Sequence, residues 1–247
     1  MVILYALFFI LGLLPSFAWL VFFLKEDVHP EPKKMLLKVF LLGFFITFIV
    51  IAIQFLFQDI FSFYKIAGGN PFSLFVFALS EEVLKFLAVY FVIRKSKFFD
   101  EPVDAMIYMI TAALGFAMLE NLAIMFSITG VSEALGVITI RFVGATLLHA
   151  LSSAIVGYWW AKGLIATRKP EFHPNVPNIP EKSSGTNSAA FTVWGYVAAG
   201  IAIATILHTF FNYLIMTSED AIVYPIIFLT IVAMFIFWDF EQLKAVH

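Results

Sequence analysis

Residues 71–93 read PFSLFVFALSEEVLKFLAVYFVI, an apolar run with two glutamates and a lysine near its centre. At a helical rise of ~1.5 Å per residue, the run is long enough to cross ~30 Å of hydrocarbon. Gly68-Gly69-Asn70 supplies a turn before Pro71 and fixes where the helix starts. Glu81, Glu82 and Lys85 therefore sit near mid-depth, where one charge costs about 2.5–3.5 kcal/mol. If the run spans a membrane, these charges need partners. The rest of the chain decides whether it does.

Of the 247 residues, 62% are hydrophobic, 13% are charged and 31 are Phe. A soluble domain has roughly 45–50% apolar and about 25% charged residues, and it cannot hide so many large apolar side chains. The fold class is all-α: a polytopic transmembrane helical bundle forming one integral membrane domain over residues 1–247. The ~20-residue ruler gives seven spans, at about 1–24, 35–57, 71–93, 103–127, 137–161, 189–217 and 221–240. The first reads as a retained span, since no positive residue precedes its apolar run and no small-residue cleavage site follows it. A net charge of −2 offers nucleic acid no basic surface. The absence of Cys excludes disulfides, thiolate metal sites and a cysteine nucleophile.

Lys and Arg concentrate in alternate loops: Lys25, Lys33 and Lys34, then Arg94, Lys95 and Lys97, then Lys162, Arg168, Lys169 and Lys182. By the positive-inside rule those loops are cytoplasmic, the N-terminus is outside and the C-terminus is cytoplasmic. Residues 162–188 are rich in Pro, Ser, Asn and Gly and read as a flexible cytoplasmic loop, with His173 a solvated member of it.

Further ionisable groups lie in other spans: Glu120 with Asn121 in the fourth, Arg141 and His149 in the fifth, His208 with Asn212 in the sixth. Left separate, Glu81, Glu82, Lys85, Glu120 and Arg141 would cost on the order of 10–15 kcal/mol, as much as a typical domain's whole stability. Their depths, counted along each span from its outer end, let them share one layer at or just outside the midplane. The prediction is that they converge on a single polar cavity in the bilayer.

Each group has two readings. Lys85 is three and four residues from the glutamates and either locks helices as an ion pair or tunes a pair of acids. The histidines either bridge helices by hydrogen bonds or, with the acids, hold zinc and a water; the candidate ligands are Glu82, Glu120, His149 and His208. Arg141 either snorkels or binds a substrate carbonyl or an acid. Ala112, Ala113, Gly115 and Ala117 are packing residues on the fourth helix. Ser80, Ser152 and Ser153 leave room for a serine mechanism, but helical neighbours of His149 aim along its face rather than at its nitrogen.

Glu81-Glu82-Val83-Leu84-Lys85 resembles the EExxK motif of the PrsW family of membrane proteases. Phe99-Asp100-Glu101-Pro102-Val103-Asp104 is similar to that family's FDExxD, Gly115 to Asn121 to its GFxxxEN, and His208 to Asn212 to its HxxxD with Asn in the last place. The same residues are more distantly similar to the CAAX-prenyl-endopeptidase superfamily, whose HxxxN matches His208 and Asn212 directly. The resemblance implies a glutamate-dependent intramembrane peptidase of a prokaryotic cell membrane, acting on a membrane protein, for which the family association is site-1 cleavage of an anti-sigma factor in stress signalling.

The expected activity is peptide-bond hydrolysis in a water-accessible cavity. Glu81 or Glu82 is the base; Glu120, His149 and His208 position the water, with or without zinc. Asn212, with Arg141, stabilises the oxyanion, while Lys85 and Asn121 support the centre. Asp100, Glu101 and Asp104 are too far along the chain for this layer and order the adjoining loop. The alternatives are a proton- or ion-coupled transporter, which inverted repeats and broken helices would favour, and a non-catalytic scaffold with a polar core.

Overall fold

In the computed structural model, which describes residues 2–167, 186–217 and 223–245, the Asn70 side chain accepts from the Phe72 backbone N–H at 2.9 Å. With Pro71 in the first helical position, this cap satisfies the exposed end of helix α3 (Pro71–Ile93). The preceding turn relies on Lys65 in the left-handed region, φ 55°, which lets the N–H of Ile66 return to Phe61 O at 2.8 Å. The other helices are α1 (Val2–Phe23), α2 (Lys33–Phe63), α4 (Asp104–Ser127), α5 (Val131–Val143), α6 (Ala145–Ala166), α7 (Thr186–Thr217) and α8 (Val223–Lys244). No strand occurs among the described residues.

Among the described residues, six stretches are long and apolar enough to cross a membrane: α1, α2, α4, α5 with α6, α7 from Ala189, and α8. Helix α3 matches them in length and differs by its three central charges, which it buries. Large apolar side chains such as Phe45, Phe48, Phe55, Met234 and Trp238 point outward. That is the pattern of a bundle solvated by lipid, whose backbone polar groups are satisfied within each helix.

The segment expected as one span over 137–161 is two helices. As a single rod, the 36 residues Val131–Ala166 would run about 54 Å, far beyond a ~30 Å core, whereas the 22 residues of α6 suffice alone. The break is at Gly144 (φ −107°, ψ −100°), where a Cβ would lie 2.7 Å from Ile140 O. Glycine is therefore the residue that fits the bend. The loop expected at 162–188 is shorter, because α6 continues through Lys162 to Ala166 and α7 starts at Thr186. The stretch between, with His173, lies outside the described residues.

Helix α4 is the pillar. Every residue from Asp104 to Met118 is buried, with α1, α2 and α6 packed around it. Two glycines bring α2 and α4 into backbone contact: a Cβ on Gly43 would lie 1.9 Å from Ala112 O, and one on Gly115 would lie 2.0 Å from Phe40 O. Small residues do this in membranes, where close van der Waals packing replaces the hydrophobic drive between helices. The contact also fixes the rest of α2, three turns further on, against α3.

Candidate active site

Four helices converge on one polar centre. Glu81, Glu82 and Lys85 come from α3, Glu120 from α4, His149 from α6 and His208 from α7; of these, all but Glu120 are buried. Glu82 is fully enclosed and saturated with donors. Lys85 Nζ donates to its Oε1 at 2.8 Å, Ser152 Oγ donates to the same oxygen at 3.0 Å, and His208 Nδ1 lies 2.9 Å from it. Ser153 Oγ donates to the second oxygen at 3.4 Å. Of the serines expected as nucleophile candidates, Ser152 and Ser153 are thus hydroxyl donors to a carboxylate, and Ser80 donates to Phe77 O at 2.7 Å.

Hydrogen bonding assigns the histidines' roles. An ammonium only donates, so His149 Nδ1 accepts from Lys85 at 3.1 Å, and the ring hydrogen is on Nε2, 3.0 Å from Glu120 Oε2. In the neutral His208 ring, Nδ1–H donates to Glu82, which leaves the Nε2 lone pair facing Glu81. Each imidazole is oriented by a carboxylate behind it, as metal-binding and general-base histidines commonly are.

Glu81 is different. Its Oε1 accepts from Gln54 Nε2 of α2 at 2.9 Å, while its Oε2 is buried with no hydrogen-bond partner. That oxygen is 3.7 Å from His208 Nε2 and 3.8 Å from His149 Nδ1. A buried carboxylate oxygen without a donor is costly, and it faces two imidazole nitrogens. Donor atoms of Glu81, His149 and His208 lie within 4.8 Å of one another, and one carboxylate with two imidazoles is a known zinc-hydrolase donor set. The residues fit a divalent cation, which would take the His149 Nδ1 lone pair in place of Lys85. The expected ligand set of Glu82, Glu120, His149 and His208 differs in both acids: Glu82 and Glu120 stand behind the histidines, and Glu81 stands between them.

Arg141 of α5 does not snorkel; it binds an acid of the centre, Glu120, from the α5 side. Its Nε donates to Asn121 Oδ1 at 2.6 Å and its NH2 group to Glu120 at 3.0 Å, and Asn121 donates on to Thr146 Oγ1 at 3.0 Å. It therefore clamps the short α5 onto α4. Asn212, one turn beyond His208, is half-buried, and its amide makes no hydrogen bond with a described side chain. Sequence reasoning missed Gln54, because a lone amide in the apolar run of α2 belongs to no motif. It also missed Thr146.

At the other end of α4, Asp104 Oδ2 accepts from the backbone N–H groups of Asp100 and Glu101 at 2.9 and 2.7 Å, and His29 pairs with Glu101. These acids order the loop. Glu31, in the α1–α2 connection, joins them by accepting from Tyr108 Oη. Burial pushes the Glu31 carboxyl from an ordinary 4.5 up to about 7; Asp27 and Asp100 add to the rise and the Tyr108 hydrogen bond opposes it. Folded protein then binds more protons than unfolded protein between those two values, so stability falls as pH rises through that window. The detergent-solubilised protein is expected to melt at a lower temperature at pH 8 than at pH 5. Glu31→Gln should flatten that slope, and an unchanged slope in the variant would rule out Glu31 as its source.

A lipid-solvated bundle with a buried carboxylate facing two carboxylate-backed imidazoles defines a class, the membrane-embedded hydrolases. The model of the PrsW family, described as "PrsW family intramembrane metalloprotease", matches residues 31–238. The chain is 32% identical over 165 residues to Protease PrsW of Geobacillus kaustophilus (strain HTA426), covering 66% of this chain and 69% of that protein. It is 30% identical to Protease PrsW of Bacillus subtilis (strain 168), covering 64% and 69%, and 31% identical to that of Clostridioides difficile (strain 630), covering 62% and 65%. No solved structure matches. The chain belongs to the PrsW family of intramembrane metalloproteases, which answers the choice between enzyme, transporter and scaffold.

Proposed function

We propose that Glu81 is the residue on which water activation depends, in hydrolysis of a peptide bond in a membrane-anchored protein. The observation that carries this is the buried, unpartnered Glu81 Oε2 between His149 and His208. Glu81 takes a proton from a water held between that oxygen and the imidazoles. The water oxygen adds to the scissile carbonyl carbon, and the Asn212 amide donates to the resulting oxyanion. The C–N bond then breaks, and the proton held by Glu81 passes to the departing amine. Glu82 keeps His208 in the required tautomer and Glu120 does the same for His149, while Arg141 holds Glu120 in place. A divalent cation held by His149 and His208, with Glu81 as its third ligand in place of base, would supply a more acidic water and polarise the carbonyl.

With the loop charges facing the cytoplasm, Glu81 lies ~15 Å from the outer end of α3 and His208 ~14 Å from that of α7, by helical rise. His149 lies one turn from the outer end of α6. On this reading the scissile bond enters the outer half of a cell membrane. This suits first-step cleavage of a single-span regulator, an anti-sigma factor being the expected kind, in a prokaryotic cell.

The test uses purified protein in liposomes with a single-span reporter, its metal content measured by elemental analysis before and after chelation. We expect reporter cleavage, about one zinc per chain, and loss of both on chelation with recovery on zinc return. Cleavage that survives complete metal removal would leave the glutamate mechanism and reject the metal. A preparation that binds zinc and cleaves no membrane-anchored reporter would reject the proposal.

A further inference from the structure

Helix α2 is apolar from Val39 to Phe57 except for Thr47 and Gln54. Thr47 satisfies its hydroxyl within the helix, on Gly43 O at 3.0 Å. Gln54 does not look inward to its own helix. Its Nε2 crosses to α3 and donates to Glu81 Oε1 at 2.9 Å. An amide left unsatisfied in hydrocarbon is costly, so a leucine would suit α2 better unless the amide serves Glu81.

We propose that Gln54 is a positioning residue for Glu81. A glutamate side chain has three rotatable bonds, and Glu81 receives no other hydrogen bond from a described residue. With Oε1 held by Gln54, Oε2 is turned toward His149 and His208. The donor is neutral, so it orients the carboxylate without pairing its charge as Lys85 does for Glu82. The contact between Gly43 and Ala112, three turns back along α2, sets the depth at which the amide meets Glu81. The described hydrogen bond of the Gln54 amide is to Glu81, not to an imidazole, so it acts through Glu81.

The proposal rests on the reading of Glu81 as the water-activating residue, and the experiment separates the two. Gln54→Leu, Gln54→Glu and Glu81→Gln are assayed in liposomes with the single-span reporter, recording kcat, KM and thermal midpoint for each. Misplacement of a reacting group by about 1 Å can cost about 10²-fold. Gln54→Leu is expected to lower kcat about 10- to 100-fold with KM within about twofold. Its midpoint should be no lower than that of the wild type, because a leucine suits an apolar helix; a residue that mattered only for packing would lower midpoint and activity together. Gln54→Glu keeps the shape, replaces the donor with a like charge, and should lower kcat at least as far. Wild-type kcat in Gln54→Leu, or a loss confined to KM, overturns the positioning role while leaving Glu81 untouched. Full cleavage by Glu81→Gln overturns both.

Discussion

Replacing Glu81 with Gln is expected to lower kcat about 10³-fold, the middle of the range for removing a general base, while the protein stays folded. The substitution keeps the shape and the volume. The Gln54 contact can survive, because a glutamine carbonyl still accepts from the Gln54 amide at the 2.9 Å position of Oε1. What is lost is the lone pair that faces His208 Nε2 at 3.7 Å and His149 Nδ1 at 3.8 Å, now replaced by an NH2 group that cannot take a proton. Stability should rise slightly or hold, since a buried unpartnered carboxylate oxygen is costly. Zinc content of the same variant separates two roles for Glu81. Zinc retained by the two imidazoles assigns it as base; zinc lost with activity assigns it as a ligand. Wild-type turnover by a folded Glu81→Gln protein would remove the centre of the proposed mechanism. The matching change at Glu82 is a different experiment, because that carboxylate is enclosed by Lys85, Ser152, Ser153 and His208 and has no face for a water.

How far these residues could be read from sequence follows from which physical signal each one carries. Convergence was legible because the cost of isolated charges in hydrocarbon left no other arrangement for Glu81, Glu82, Lys85, Glu120 and Arg141. The division of labour between Glu81 and Glu82 was not. Neighbours on a helix diverge by about 100°, but which one meets His208 Nδ1 and which meets Nε2 depends on how α3 is rotated against α7. Rotation is set by packing partners distant in sequence. Gln54 was invisible for the same reason: only the α2–α3 pairing, anchored by Gly43 on α4, makes its amide relevant. The break at Gly144 was hidden inside an apolar run, and a glycine there reads equally as helix packing until the length of Val131–Ala166 is set against bilayer thickness. Arg141 then changes meaning, since beyond the break it lies on α5 and pins that helix to Glu120 and Asn121 rather than ending a span.

Lys85→Met is expected to destabilise the folded protein by about 3–5 kcal/mol, the usual consequence of removing one partner of a buried ion pair. Lys85 is fully buried, with Nζ 2.8 Å from Glu82 Oε1 and 3.1 Å from His149 Nδ1, over the Phe116 ring at 4.9 Å. Methionine fills much of the same volume, so the loss is one of charge rather than packing. Glu82 then keeps only its hydroxyl and imidazole partners, which donate hydrogen bonds but cannot match the ammonium's charge. The loss is a large share of a typical stability of about 5–15 kcal/mol, so the single variant should fail to accumulate or should melt far below the wild type. Adding Glu82→Gln removes the uncompensated charge and keeps one carbonyl acceptor, for Ser152 and His208, while its NH2 group can donate to the Ser153 hydroxyl. The double variant should therefore be markedly more stable than Lys85→Met alone, with a coupling energy of about 1–3 kcal/mol in a double-mutant cycle read from unfolding in mixed detergent. Additive losses would mean that Lys85 and Glu82 are held in place independently. Activity should not return with stability in the double variant: a neutral amide in place of the Glu82 carboxylate no longer draws the His208 Nδ1 hydrogen as the charged group does, and His149 has lost the donor that fixed its ring. A stable, inactive double variant is thus the outcome that distinguishes an ion pair kept to orient two imidazoles from one kept to join two helices.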